Sequence, residues 1–289
     1  MSKNQKWAII VPVHKLDSEE DKALLKKALA SAKDQETDQP YLLQVIAPLA
    51  LHDAICLTIT DNNREHTDNR RKLGDKAPAY NSGFNNVVVE ATGSTSFQSM
   101  VNQAVAGLPE EVKHFTILEF DDTLRPNYAK WATKYAEAFS DTAVFLPLVE
   151  DVTPEGGFLK FTNEVLWTPN FSDNLGYLDH EALKGYANFH LTGALIKKDA
   201  FLQVGGLKES IELTFNYEFL LRLTQLDLVV TSIPKVLYAH VDGREGSLFK
   251  VLTEGRTALT EEEIRFWFDV AHRECLFTED RKVTFQPSI

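Results

Sequence analysis

The chain has little cysteine and no long apolar run, and both absences narrow the class of protein. Its only two cysteines, Cys56 and Cys275, lie far apart in segments that look buried. Such residues are expected to be core thiols of a cytoplasmic protein rather than a disulfide or a metal pair. No run approaches the roughly 18 apolar residues that a membrane span needs, and residues 1–6 lack the apolar core of a signal peptide. We therefore predict a cytoplasmic protein without a membrane segment.

Positive charge is also scarce. The 30 lysines and arginines face 42 acidic residues, so the formal net charge is −12 at pH 7. This balance argues against a broad basic surface for holding nucleic acid. The one tight basic cluster, at residues 70–72, is flanked by Asp68 and Asp75, which indicates a solvated loop. The sequence shows no internal repeat, no low-complexity segment and no obvious domain linker.

An alternation of predicted strands and helices is present instead. Apolar, β-branched runs predict strands at residues 7–14, 55–60, 86–90, 115–118, 143–149 and 229–233. Amphipathic patterns predict helices that begin near residues 18, 126, 215 and 260, and another that carries Met100. Residues 41–50 fit either a strand or a helix, and residues 64–86 fit a long loop. The alternation predicts an α/β fold whose mostly parallel central sheet has helices on both faces.

Three carboxylates follow the predicted strand at residues 115–118. Glu119, Asp121 and Asp122 fall within four positions, and like charges at this spacing repel unless a cation or a set of donors neutralises them. Oxygen ligands suit Mg²⁺ or Mn²⁺, which usually also hold substrate phosphates. The carboxyl ends of strands in open α/β sheets are where ligands bind. A simpler alternative stays open, in which an aspartate favours the N-terminus of the helix that begins near Pro126.

The aromatic content is concentrated in residues 156–188. This segment carries six large aromatic side chains: Phe158, Phe161, Trp167, Phe171, Tyr177 and Tyr186. The composition fits a lid or an acceptor-binding surface, and it also fits plain packing.

Taken in order, these segments resemble the family 2 glycosyltransferases with the GT-A fold. The resemblance runs from the first strand to about residue 247. It rests on residues 8–13, 59–61, 118–122, 191–207 and 217–222, on Gly93 with Asn102, and on Tyr238, His240, Arg244 and Ser247. Within the family the sequence looks most like versions carried by large tailed bacteriophages, which implies the host cytoplasm as its location.

The resemblance implies a division of the chain and a set of site residues. Residues 1–250 would form the GT-A catalytic domain, with a nucleotide-binding half at 1–125 and an acceptor-side half at 126–250. Residues 251–289 would be a helical extension packed on it. The implied metal ligands for Mn²⁺ or Mg²⁺ are Asp121, Asp122 and His240, although His240 fits a structural hydrogen bond equally well. The implied contacts to the nucleotide sugar are Pro12, Val13, Asp61, Asn102, Glu119, Asp121, Gly193 and Arg244.

The implied activity is metal-dependent, inverting transfer of a sugar from a nucleotide-diphosphate donor, expected to be UDP-linked, to a hydroxyl acceptor. The acceptor would be a glycan, a protein or a modified DNA base. Glu218 is the predicted base, although its spacing from Arg222 also fits a helical ion pair.

The sequence departs from the family at Phe215 and Asn216, where many members carry Glu-Asp. Three readings stay open: Glu218 is the base, Asp179 or Asp151 is the base, or the domain binds without catalysing. Accordingly, a transferase acting on modified bases of phage DNA and an inactive binding or virion module are the alternative functions.

Overall fold

The computed structural model describes residues 7–37, 39–60, 87–244, 247 and 259–278. Within these ranges the strands are β1 Trp7–Pro12, β2 Leu42–Pro48, β3 Val87–Thr92, β4 His114–Ile117, β5 Thr123–Leu124, β6 Thr142–Val152, β7 Phe158–Thr162, β8 Asn170–Phe171, β9 Gly176–Leu178, β10 Leu195–Lys197 and β11 Val229–Val241. The helices are α1 Glu19–Lys33, α2 Leu49–Thr60, α3 Phe97–Gly107, α4 Tyr128–Ala138, α5 His180–Gly185, α6 Lys198–Gln203, α7 Phe215–Gln225 and α8 Glu261–Glu274, with a 3₁₀ turn at Val165–Trp167.

The strands of the described residues join in one sheet with the order β3-β2-β1-β4-β10-β6-β11-β9-β8, while β5 pairs with β11 and β7 with β6. The strands β3, β2, β1 and β4 pair in parallel, and so do β6 and β11. Between these groups β10 is antiparallel to both β4 and β6. Along the spatial run β3-β2-β1-β4-β10-β6-β11, only β10 is therefore reversed. The prediction of a mostly parallel central sheet is confirmed.

Both faces of the sheet are covered by helices, as predicted. On β1, Ala8 and Ile10 join an apolar cluster with α3, α6, α7 and α8. The alternate residues Ile9 and Val11 join a second cluster with α1, α2 and α4. Every residue of β1 is buried, which explains why its sequence is a continuous apolar run instead of an alternating one.

The prediction of a strand at residues 55–60 is wrong, because these residues form the second half of α2. The strand beside β1 is β2, in the segment that fitted either a strand or a helix. Leu51, Ile55 and Ile59 recur at the four-residue spacing of a helix face and pack into the second cluster. Packing on that face therefore outweighed the strand propensity of a β-branched run. Asp61, expected at the end of a strand, follows a helix and lies outside the described residues.

The first and last helices begin as the sequence predicts. Ser18 and Asp21 form a capping box at α1, and Thr260 and Glu263 form one at α8. Residues 261–274 pack as α8 against α7, while the division of the chain at residue 250 stays a prediction. None of the described helices combines the length and apolarity that crossing a membrane requires.

Candidate functional site

The acidic segment forms a tight turn at the carboxyl end of β4. The backbone N–H of Leu118 still donates to the carbonyl of Ile10 on β1, at 2.9 Å. The N–H of Asp122 then donates to the carbonyl of Glu119 at 3.1 Å, which closes the turn. The chain continues into β5, which pairs antiparallel with β11. The strand order therefore brings the three carboxylates to the edge of the sheet where β11 also ends.

Asp122 connects this turn to β11. Its Oδ2 accepts a hydrogen bond from the hydroxyl of Tyr238 at 2.8 Å and lies 2.9 Å from Nδ1 of His240. Its Oδ1 accepts from the backbone N–H of Val241 at 2.8 Å. Asp122 is only 1% exposed, so its carboxylate has little contact with water. These hydrogen-bond donors stabilise the buried carboxylate in place of water.

Tyr238 is the centre of this hydrogen-bond network, and Gly193 makes room for it. The Tyr238 hydroxyl also accepts from the backbone N–H of Glu119, at 3.1 Å. Gly193 has a φ of +76°, and a Cβ at this position would overlap the Tyr238 ring. The N–H of Gly193 donates to the carbonyl of Ile117 at 2.9 Å. The conformation of Gly193 is therefore tied to the position of Tyr238.

Glu119, Asp122 and His240 are the group that could hold a metal ion. One ligand atom from each lies within 4.8 Å of the others. Burial and the charges of Asp122 and Asp121 raise the pKa of Glu119 to about 8. Burial alone would lower the pKa of His240, but the charge and hydrogen bond of Asp122 raise it to about 10. Protons thus supply the positive charge that the cluster needs, and two carboxylates with an imidazole are a donor set that fits Mn²⁺.

Asp121, expected to be a metal ligand, is paired with Arg244 instead. Its Oδ2 accepts from Nε of Arg244 at 2.6 Å, and Nη1 of the same arginine lies 3.2 Å from Oδ1 of Asp21 on α1. Burial and Asp122 raise the pKa of Asp121, while Arg244 opposes them. Arg244 is 6% exposed, and its Nη2 has no hydrogen-bond partner among the described residues. A buried, partly unpaired guanidinium next to the acidic cluster is suited to a phosphate oxygen.

His190 and Asp151 border the cluster on the side of β6. The ring of His190 lies 5.4 Å from that of His240, and burial together with His240 lowers the pKa of His190 to about 4. Asp151 stands opposite His240 in the pairing of β6 with β11 and is 1% exposed. Its Oδ2 lies 3.6 Å from Nζ of Lys160, and its Oδ1 has no hydrogen-bond partner in the described part of the chain. No motif in the sequence marked His190, since only the fold brings it to His240.

Pro12 and Val13, predicted to contact the nucleotide, lie buried at the carboxyl end of β1, and the contact itself stays a prediction. The N–H of Val13 donates to the carbonyl of Ile46 at 2.9 Å. Asn102, predicted to contact the nucleotide sugar, uses its side chain elsewhere. Its Nδ2 donates to the carbonyl of Leu207 at 2.8 Å, and its Oδ1 accepts from the N–H of Leu207 at 2.7 Å. Asn102 therefore fastens α3 to the turn that follows α6.

The surroundings of Glu218 argue against its predicted role as the base. The residue is fully buried, and its carboxylate accepts from Nε and Nη2 of Arg222 at 3.0 and 2.9 Å. Nζ of Lys208 is also 3.3 Å away. A base must reach the acceptor hydroxyl, whereas this carboxylate is enclosed by two cations. Asp179, an alternative base, caps α5 through the N–H of Ala182.

Comparison with known proteins identifies the architecture. No family model matches the chain, and no curated protein matches it. Among solved structures, residues 1–349 of S. aureus TarS in complex with UDP-GlcNAc align with a TM-score of 0.61 and 12% identity, over 95% of this chain and 68% of that one. The chain has the GT-A fold.

Two further GT-A structures show the same likeness. The longer S. aureus TarS structure aligns with a TM-score of 0.54 and 11% identity, over 97% of this chain and 46% of that one. The mannosyltransferase PcManGT from Pyrobaculum calidifontis, in complex with GDP-Man and Mn²⁺, gives a TM-score of 0.53 and 12% identity, over 85% of this chain and 59% of that one. This chain thus spans less than half of the longer TarS structure. At such identities the likeness establishes the fold.

Proposed function

We propose that this chain is a metal-dependent, inverting glycosyltransferase that uses a nucleotide-diphosphate sugar. The observation that carries the proposal is the group of Glu119, Asp122 and His240 beside the buried Arg244, at the carboxyl edge of a GT-A sheet. Support comes from TarS, whose structures hold UDP-GlcNAc and UDP, and from the mannosyltransferase, which holds GDP-Man and Mn²⁺. We expect a UDP-linked donor.

The cluster is suited to a leaving diphosphate. When bound by Glu119, Asp122 and His240, a divalent ion would supply Lewis-acid stabilisation of the diphosphate charge. Arg244 would add a fixed positive charge and an Nη2–H donor, for which the described residues provide no partner, on the side of Asp121. Asp122 keeps its orientation because β11 holds both of its oxygens. The protein therefore supplies positions that are set before the donor arrives.

Of the carboxylates that the sequence suggests as the base, Asp151 is the one beside the cluster. Glu218 is enclosed by cations and Asp179 caps a helix. Asp151, in contrast, stands directly opposite His240 on the neighbouring strand. Burial raises the pKa of Asp151, which makes its ionised form a stronger proton acceptor. We therefore propose that Asp151 is the base that takes the proton from the acceptor hydroxyl.

The test measures nucleotide release from UDP-sugars and GDP-sugars with Mn²⁺, with and without hydroxyl acceptors. We expect release by the parent, loss in Glu119→Gln, and parental release in the control Glu137→Gln, which changes an exposed glutamate on α4. The variant Asp151→Asn should keep UDP and Mn²⁺ binding while losing transfer. Failure of the parent to bind any nucleotide with Mn²⁺ would contradict the proposal.

A second candidate function is donor binding without transfer. It is favoured by Asn216, which cannot act as a base, and by the enclosed carboxylate of Glu218. This candidate predicts Mn²⁺-dependent UDP binding with no release of nucleotide from any donor. A DNA acceptor receives no support from the net charge of −12.

A further inference from the structure

Asn163 is a buried asparagine that no step of the proposed function uses. It follows directly after β7, and none of its surface is exposed. Its φ is +62°, in the left-handed region that asparagine tolerates better than most side chains. A non-glycine residue stays in this region only where its surroundings hold it there, and such residues concentrate at functional sites. The contacts of Asn163 therefore indicate what its conformation serves.

The side chain of Asn163 clamps the backbone of His190, which is 27 residues further along the chain. Its Oδ1 accepts a hydrogen bond from the N–H of His190 at 2.7 Å. Its Nδ2 donates to the carbonyl oxygen of the same residue at 3.0 Å. Because both polar backbone groups of His190 are held by one rigid amide, the position of this residue is fixed at two points.

Asn163 is itself anchored to the sheet. Its Nδ2 also donates to the carbonyl oxygen of Pro147 on β6, at 3.0 Å. Its carbonyl oxygen accepts from the hydroxyl of Ser232 on β11, the strand that also carries His240. The clamp therefore fixes His190 relative to the two strands β6 and β11.

The ring of His190 packs on the ring of His240. Their centres lie 5.4 Å apart, and the planes meet at 64°, in an edge-to-face arrangement. On its other contact, Nδ1 of His240 lies 2.9 Å from Oδ2 of Asp122. A hydrogen bond at one ring atom still allows the ring to tilt, whereas a second aromatic ring against it restricts the tilt. The two contacts together set the direction of the His240 imidazole.

We propose that Asn163 is a positioning residue of the candidate metal group, because it fixes the His190 ring that orients the imidazole of His240. The candidate metal group consists of Glu119, Asp122 and His240. The inference rests on the proposed function, since it takes His240 as a ligand of the ion. An edge-to-face ring pair contributes a factor of about 2 to 12 in an equilibrium constant, so the clamp should change Mn²⁺ affinity by about two- to tenfold.

The test exchanges one atom of the clamp. Asn163→Asp keeps the shape of the side chain and its tolerance of a positive φ, but it places an oxygen where Nδ2 donates to the carbonyls of Pro147 and His190. The matched control Gln98→Glu makes the same exchange at another buried amide, whose Nε2 donates to the carbonyl of Ile211 at 2.8 Å. It should lose stability in urea unfolding and leave the metal group as it is.

Two variants of the second residue test the same link without changing Asn163. His190→Ala removes the ring and leaves the backbone that the clamp holds, so it serves even where Asn163→Asp does not fold. His190→Phe keeps an aromatic ring against His240 and should restore much of what His190→Ala loses.

Two measurements are made on each full-length protein. Nuclear magnetic resonance before Mn²⁺ is added reports the ring resonances of His240, which depend on the ring packed against them. The electron paramagnetic resonance signal of free Mn²⁺ then gives the affinity. We expect shifted His240 resonances and about two- to tenfold weaker Mn²⁺ binding in Asn163→Asp and His190→Ala, values nearer the parent in His190→Phe, and parental values in Gln98→Glu.

Parental His240 resonances in both Asn163→Asp and His190→Ala would overturn the positioning role, and so would an equal shift in Gln98→Glu. Shifted resonances with parental Mn²⁺ affinity would also overturn it, because the direction of the ring would then not matter to the ion. A parent protein that binds no Mn²⁺, while its His240 resonances still shift in the two variants, would defeat the proposed function and leave the contact from Asn163 to His240 supported.

Discussion

Replacing Tyr238 by phenylalanine removes one hydroxyl and leaves the ring that packs against Gly193. The change deletes the hydrogen bond to Asp122 at 2.8 Å and the one from the Glu119 N–H at 3.1 Å. A hydrogen bond to a charged group contributes about 1.5–3 kcal/mol, and a buried donor left unsatisfied costs about 1–3 kcal/mol. Because His240 and Val241 still hold Asp122, we expect the free energy of unfolding to fall by about 2–4 kcal/mol.

The same substitution should weaken Mn²⁺ binding about ten- to hundredfold, since groups that orient metal ligands typically have effects of this size. Stability is measured by urea unfolding, and metal affinity by the electron paramagnetic resonance signal of free Mn²⁺. The matched control is Tyr217→Phe, which also deletes two hydrogen bonds, to Leu183 and to His272, at the junction of α7 with α5 and α8. It should lose stability and keep its Mn²⁺ affinity. Parental Mn²⁺ affinity in Tyr238→Phe, or an equal loss in the control, would refute the reasoning.

Three further substitutions or conditions test separate parts of the structure. Gly193→Ala should lower the thermal midpoint by the equivalent of about 1–3 kcal/mol, because the added Cβ would overlap the Tyr238 ring. In the control Gly185→Ala the added Cβ meets nothing within 4 Å, so the midpoint should not change. Equal midpoints for the two variants would contradict the packing of Tyr238 on Gly193. Glu218→Gln should cost about 3–5 kcal/mol in urea unfolding, since it leaves buried cations unpaired; parental stability with lost transfer would restore the base role. Mn²⁺ binding should weaken as the pH falls through about 10 and then about 8, where His240 and Glu119 gain their protons. Calorimetry in buffers of different ionisation enthalpy should show proton release on binding, and pH-independent binding would count against both residues as ligands.

The sequence predicts the class of fold because its strands are continuous apolar runs that alternate with amphipathic helices. The sequence predicts α2 wrongly, because Ile55, Thr58 and Ile59 are β-branched residues that favour a strand. In the structure Ile55 and Ile59 lie on one face of a helix and pack into the second apolar cluster. Local propensity and tertiary packing conflict there, and packing wins.

The acidic turn could be predicted because carboxylates at the end of a buried strand lie at the edge of the sheet. The different partners of its three carboxylates could not be predicted. Asp121 is neutralised by Arg244, which also reaches Asp21 across 223 residues, and no local spacing encodes that arrangement. The three side chains whose ligand atoms lie together are Glu119, Asp122 and His240, and Asp121 is not among them. By contrast, the ion pair of Glu218 and Arg222 follows directly from their four-residue spacing on a helix.

We propose that Glu119, Asp122 and His240 together hold the divalent ion of a donor site. The most direct measurement is a crystal structure of the protein with UDP and Mn²⁺, with anomalous data collected at the manganese edge. We predict one peak about 2.1 Å from a carboxylate oxygen of Glu119, a carboxylate oxygen of Asp122 and a ring nitrogen of His240, with the diphosphate reaching Arg244. A peak bound by Asp121 in place of Glu119, or UDP bound away from Arg244, would contradict the claim.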